Sequence, residues 1–172
     1  FRTKARPKSW GQALSEVRPI LLFIVLATLA VLHQTPGFYE PPAFLQSDPR
    51  EVSGQFTRCG PGRGTFCVVD GDTFKLGDES FRVSGIDTAE VDARCPAEAA
   101  QAEASTAALQ RWLNRGPFGI ATRLDEPTDR YVRTLAIVKR AGADGGEDRL
   151  ADFMRDEGGA RWYDGGLRGG WC

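Results

Sequence analysis

Three strand signals, a helix signal, two further strand signals and a second helix signal predict an α+β, mainly β domain. That order describes a five-stranded barrel of the oligonucleotide-binding type with two or three packed helices, preceded here by an N-terminal hydrophobic helix. Two observations carry the class. Apolar and polar residues alternate in short runs across 68–83, and strong helix formers with apolar side chains at i, i+3 and i+4 fill 97–115.

The chain opens with a basic segment, 1–18, in which Arg2, Lys4, Arg6, Lys8 and Arg18 stand against Glu16 alone. An unbroken apolar run follows at 20–32, about 20 Å long as a helix. A comfortable membrane span takes about 20 residues, so the run is short for one and suits the apolar region of a signal peptide. The basic flank suits a cleaved peptide or a retained signal anchor over 19–33. No clean A-x-A site follows, which tips the reading toward the anchor. Either way the basic end stays cytoplasmic and the rest is exported, periplasmic or secreted. A buried core helix also suits the length but leaves the cationic flank unexplained. Residues 34–58 carry Pro36, Pro41, Pro42 and Pro49 without periodicity and read as an extended linker.

The remaining domain, 59–172, begins around Asp70-Gly71, a dipeptide that tolerates φ > 0 and suits a two-residue hairpin between Val68-Val69 and the next strand. Phe74 and Leu76 alternate there with Thr73 and Lys75, and Phe81-Arg82-Val83 repeats the pattern after the polar turn Gly77-Asp78-Glu79. Cys95-Pro96 opens the first helix, proline suiting its first turn; Leu109, Trp112 and Leu113 mark its buried face, and Gly116-Pro117 ends it. Strands follow at 118–124 and 133–139, joined by a polar turn over 125–131. Asp148 suits the N-cap of a second helix with Leu150, Phe153 and Met154 facing inward, ending at Gly158-Gly159. The stretch from Trp162 to Cys172 reads as irregular.

Composition bounds the function. The 172 residues are 41% hydrophobic and 26% charged, enough for one globular domain plus an appendage. Over 51–172, 16 basic residues face 20 acidic ones. A nucleic-acid binder is ordinarily basic, so this balance counts against such a ligand unless a bound cation and a local arginine cluster offset it. The four cysteines include no C-x-x-C pair, which disfavours zinc, and an even number beyond an export signal favours two disulfides. Of three possible connectivities, Cys59–Cys67 with Cys95–Cys172 is preferred. The only histidine, His33, ends the apolar run. A metal site must therefore use oxygen ligands, which favours Ca²⁺ or Mg²⁺.

Acids beside a turn are ordinarily solvated turn-formers. Here Asp70, Asp72, Asp87 and Glu90 gather with Arg82 around adjoining strands, the combination a hard cation and a phosphate need together. The series Asp70-Gly71-Asp72-Thr73, Arg82, Asp87-Thr88-Ala89-Glu90 and Asp129-Arg130-Tyr131-Val132-Arg133 resembles the signature of the staphylococcal (micrococcal) nuclease, or thermonuclease, family. The likeness runs in order through most of 65–163. It implies that Asp72 and Asp87, helped by the Thr88 carbonyl, ligate Ca²⁺. It makes Glu90 the general base and Arg82 and Arg133 the grip on the scissile phosphate, and it assigns Arg130 and Tyr131 to nucleotide contacts. The implied reaction is hydrolysis of DNA and RNA to 5′-hydroxyl and 3′-phosphate ends. Two positions depart from the family pattern: Ala89 replaces a usual proline, and Val132 replaces a usual glycine beside Arg133.

The residue types make chemical sense without the likeness. A carboxylate such as Glu90 can deprotonate water for in-line attack, and two guanidiniums suit the charge that develops on phosphorus oxygens. A non-catalytic nucleic-acid or protein-binding module on the same barrel is the competing class, separated by whether metal ligands, base and both arginines occur together. Expected partners are nucleic-acid substrates and, through a retained anchor, the membrane. Nothing in the sequence signals an oligomer.

Overall fold

A computed structural model describes residues 10–34, 40–61, 65–143 and 145–172. It divides into two compact units, Phe1–Phe38 and Tyr39–Cys172. Most of the basic segment and the start of the proline-rich stretch lie outside the described residues.

In the first unit a helix, α1, runs Trp10–Gln34 with Pro19 inside it. Its apolar residues over 17–30 are exposed, Phe23 by 71%. Among the described residues, no helix is long and apolar enough to cross a membrane.

The second unit is α+β and mainly sheet. Its elements are β1 (Arg50–Val52), β2 (Thr57–Arg58), β3 (Phe66–Val68), β4 (Thr73–Leu76), β5 (Glu79–Val83), β6 (Ile86–Asp87), α2 (Pro96–Leu113), β7 (Phe118–Thr122), β8 (Thr134–Ala141), β9 (Glu147–Arg149), α3 (Leu150–Asp156) and β10 (Arg161–Trp162). A curled sheet runs in the order β1-β7-β8-β5-β4-β3-β2, with β9 added to β8, while β6 and β10 form a separate antiparallel pair. Two further strands, β1 and β2, thus come from the stretch that reads as linker, and they bring Val52 and Phe56 into the core. Isolated apolar residues among Ser, Gly and Gln carry no periodic signal, which is why 50–58 looked unstructured.

Alternation does its expected work in β4, where Phe74 and Leu76 are buried and Lys75 is exposed. Phe74 lies opposite Phe81 on β5, their rings stacked at 5.4 Å. Leu109, Trp112 and Leu113 of α2 are fully buried with Leu150 and Met154 of α3. At roughly 1.5–3 kcal/mol for each large apolar side chain removed from water, this shared cluster is what fixes the helices on the sheet. Trp112 also satisfies its indole N–H, which donates to Asp148 Oδ1 at 2.9 Å. That contact corrects the reading of Asp148 as a helix cap: Arg149 is the N-cap of α3, with no capping side-chain bond.

The turn at Asp70-Gly71 is also different from expectation. β3 ends at Val68 and β4 begins at Thr73, so the connection spans four residues, and Gly71 is not in the positive-φ region. Its glycine is required by space: a Cβ there would stand 2.6 Å from Ser105 Cβ and 2.8 Å from Thr88 Oγ1. The two-residue hairpin occurs one turn later, at Gly77-Asp78, where Leu76 pairs with Glu79 and Gly77 has φ 62°. Both disulfides are formed, Cys59–Cys67 and Cys95–Cys172. They are consistent with an oxidising, extracytoplasmic setting.

Candidate active site

Two strands of the curled sheet and the short β6 that follows them bring the acids and the first arginine together. Thr73 pairs with Arg82 across β4 and β5, and the Val83 N–H donates to the Asp72 carbonyl at 2.8 Å, so Asp72 and Arg82 meet at the end of the hairpin. The next turn, Ser84-Gly85 with Gly85 at φ 82°, reverses the chain and sets Asp87 beside the same guanidinium. Arg82 Nη1 lies 2.8 Å from Asp72 Oδ2, and its Nη2 donates to the Ile86 carbonyl at 3.2 Å and lies 3.8 Å from Asp87 Oδ1. All three charged side chains are buried. Charges so removed from water persist only when paired.

A second group comes from the loop before β8. Asp129 organises it: Oδ1 accepts the Tyr131 and Arg133 N–H groups at 2.9 and 3.0 Å, and Oδ2 accepts Arg133 Nε at 2.8 Å. Burial pushes the Asp129 carboxyl up, but the bonds from Arg133 and from these two N–H groups outweigh it and hold the carboxyl below its ordinary range. Arg133 Nη1 then donates to Thr73 Oγ1 at 3.0 Å, and that hydroxyl donates to Asp72 Oδ1 at 2.8 Å. The loop is thereby wired to the sheet. Tyr131 is exposed, with Arg130 and Arg133 over its ring at 4.8 and 5.3 Å.

Every residue singled out in the sequence falls in this neighbourhood. Asp72, Arg82, Thr88, Glu90, Tyr131 and Arg133 line one cavity of about 290 Å³. Asp87 joins through Arg82, and Arg130 lines an adjoining cavity of about 350 Å³. Five arginines (82, 123, 130, 133 and 168) border that second space, which gives an acidic domain a locally basic mouth. Glu90 sits at the rim, its side chain 56% exposed.

Arg168 and Tyr163 are the two members of the site that the sequence did not single out. The Arg168 Nε lies 3.2 Å from Asp87 Oδ1 and its Nη1 donates to Glu90 Oε1 at 2.5 Å; Arg82 and Arg168 both lie over the Tyr163 ring. A signal for them existed. Cys95 lies five residues after Glu90 and Cys172 four after Arg168, so the expected Cys95–Cys172 bond already returns the tail to Glu90.

Two observations fit a cation among these oxygens. Asp87 Oδ1 is buried with no hydrogen-bond partner, because neither neighbouring guanidinium is aligned to donate to it. Burial also pushes the Asp72 carboxyl up to about 7, against the opposing pull of Arg82, so its charged form would gain from a further cation. The acids do not already converge on one point. Among the described residues, the tight group of metal-capable side chains is Cys95, Glu98 and Cys172, and both of its sulfurs are consumed in the disulfide. Compared with known proteins, the chain matches no family model and no curated protein.

Proposed function

We propose that the protein is a phosphodiesterase of the thermonuclease type, hydrolysing DNA and RNA outside the cytoplasm. The observation that carries the reading is the clustering of Asp72, Arg82 and Glu90, from one stretch of chain, with Arg133, from the distant loop before β8, around one solvent-open cavity. The curled sheet with its outer helices supports a barrel of the oligonucleotide-binding type, whose face and loops hold extended polyanions. A retained N-terminal anchor would keep the enzyme at the membrane surface.

Asp72, Asp87 and the Thr88 carbonyl would hold Ca²⁺, which when bound offsets the buried acids and polarises a phosphoryl oxygen. Glu90, at the exposed rim, is the base that takes a proton from the attacking water. Arg82 is fixed by Asp72 and the Ile86 carbonyl, and Arg133 by Asp129 and Thr73, so both guanidiniums meet developing charge without reorganising first. Arg130 and Tyr131, stacked beside the mouth, suit the nucleotide that flanks the scissile bond.

The test is single-turnover cleavage of single-stranded DNA, with oligonucleotide affinity measured on the same proteins. The parent should cut in Ca²⁺ and stop in a calcium chelator. Arg133→Lys keeps the charge but loses the two-pronged fork, and Glu90→Gln keeps the shape but loses the base. Each should lower the cleavage rate by roughly a hundredfold or more with little change in affinity. A parent that binds DNA without cutting it, and binds less well as Arg133→Lys, would make the protein a binding module instead.

A further inference from the structure

We propose that Arg168 is a third arginine of the phosphate site, parked on Asp87 and Glu90 and turning to the phosphate when a cation takes Asp87. The inference rests on the nuclease reading of the site. It is carried by how the tail presents this residue.

After Tyr163 the chain has no regular structure, yet it is pinned. Cys172 is bonded to Cys95, Arg161 Nη1 donates to the Gly170 carbonyl at 2.9 Å, and the Arg161 guanidinium lies 3.7 Å from the Trp171 ring centroid. Within this frame the tail turns its leucine out and its arginine in. Leu167 is fully exposed, whereas the Arg168 side chain is two-thirds buried. Burial of apolar surface alone would give the reverse. The arrangement is therefore set by charge: Asp87 and Glu90 need a counter-ion, and Arg168 supplies it.

The three arginines of the cavity have different commitments. Arg82 is locked between buried groups, and Arg133 is held by Asp129 from outside the cavity. Arg168 alone is held by Glu90, the proposed base, together with Asp87, a proposed cation ligand. A dication on Asp87 would take one of its two partners and leave this guanidinium held by the exposed Glu90 alone, beside the same 290 Å³ space. Its planar fork matches the oxygens of a phosphate entering there. An ordinary surface pair would be worth little and tied to nothing; this one is delivered by a covalent staple.

Calorimetry on the whole chain decides it, with Ca²⁺ alone as one probe and deoxyadenosine 5′-monophosphate, which has no diester to cut, as the other. Arg168→Ala should bind Ca²⁺ about tenfold tighter without nucleotide, since the competing charge is gone. In saturating Ca²⁺ it should bind the nucleotide about tenfold weaker, the scale of a lost charge-assisted bond. Arg168→Lys should keep parental Ca²⁺ affinity and fall between the two for nucleotide. A purely structural arginine cannot shift the two affinities in opposite directions, so values within about twofold of the parent, or a joint fall, overturn the assignment. Opposite shifts in a parent that cuts no DNA would sink the nuclease reading and leave the Arg168 assignment standing. Unchanged affinities in a variant whose parent cuts DNA would do the reverse, and a parent that binds no Ca²⁺ would end both.

Discussion

The two halves of the site are built on opposite principles. Asp72 stands just before β4, and Arg82 and Asp87 on β5 and β6, all buried and fixed by the paired strands around them. Arg133, Tyr131 and Arg168 come from a loop and an irregular tail, and are held by the carboxylates of Asp129, Asp87 and Glu90, one hydroxyl and one disulfide. The sheet half can hold charge out of water because the backbone cannot move away from it. The other half is more open and can exchange partners, which a surface that must admit and release a polyanion needs. Rigidity is placed where charge is buried, and adaptability where the ligand enters.

The sharpest way to break this contrast is to delete one arginine from each half. Arg82→Ala leaves Asp72 and Asp87 buried without their partner, and should cost about 3–5 kcal/mol in urea unfolding. Arg168→Ala should cost under about 1 kcal/mol, because Glu90 is exposed to water and the buried Asp87 keeps Arg82 as a neighbour. The Arg82 loss should also grow with pH. Asp72's folded carboxyl is pushed above its ordinary value to about 7, so this group favours folding at low pH and that contribution is lost as pH rises through about 7. At pH 5 Asp72 is protonated and tolerates burial alone; at pH 8 it is charged. Equal losses for the two alanine variants, or an Arg82 loss that shrinks between pH 5 and 8, would remove the distinction.

The disulfides divide along the same line. Cys59–Cys67 closes a short loop beside β3, and Cys95–Cys172 closes one with a sequence separation of 77. Loop-closure entropy gives the longer one about 4.5 kcal/mol and the shorter about 2.5 kcal/mol, as upper figures. Replacing Cys95 and Cys172 by serine together should therefore be the more costly change in chemical unfolding. It should also free Arg168 and reproduce the affinity shifts of its alanine variant. Replacing Cys59 and Cys67 should lower stability but leave both affinities as in the parent. If the two pairs act alike on binding, the tail is not what delivers Arg168.

The difference between the halves also explains what could be read in advance. Asp72, Arg82 and Asp87 lie close in sequence, at or beside strands whose short apolar runs are visible locally, so local pattern and chemistry point to the same place. Phe74, Leu109 and Trp112 were legible as core for the same reason. Arg168 sits among glycines with no period, and only the long-range cysteine pairing connects it to Glu90. The β1 and β2 strands were hidden because each is two or three residues long and is held by pairing to β7 and β3. Such pairing is a tertiary fact that no local window contains. Asp148 misled because an acid before a helix is a good cap on average, whereas here the Trp112 indole claims it.

The smallest expected effect concerns the loop, at Val132. It has φ 63°, and among the described residues it is the one non-glycine residue in the left-handed region, with a side chain 80% exposed. A β-branched residue pays of order 1 kcal/mol or more to sit there, and with so little surface buried it recovers almost nothing by packing. The conformation persists because the turn over-determines it: Val132 N–H donates to the Asp129 carbonyl, and Asp129 N–H to the Arg133 carbonyl, both at 3.0 Å. Val132→Gly removes the clash but adds freedom to the unfolded chain, so the net gain in urea unfolding should be about 0.5–1 kcal/mol. Val132→Ala should gain less, since alanine keeps its Cβ in the same region. If the glycine variant is instead less stable than the parent, the loop is not under strain. The valine would then be holding Arg133 in place by restricting the backbone, and the cleavage rate of the glycine variant should fall with its stability.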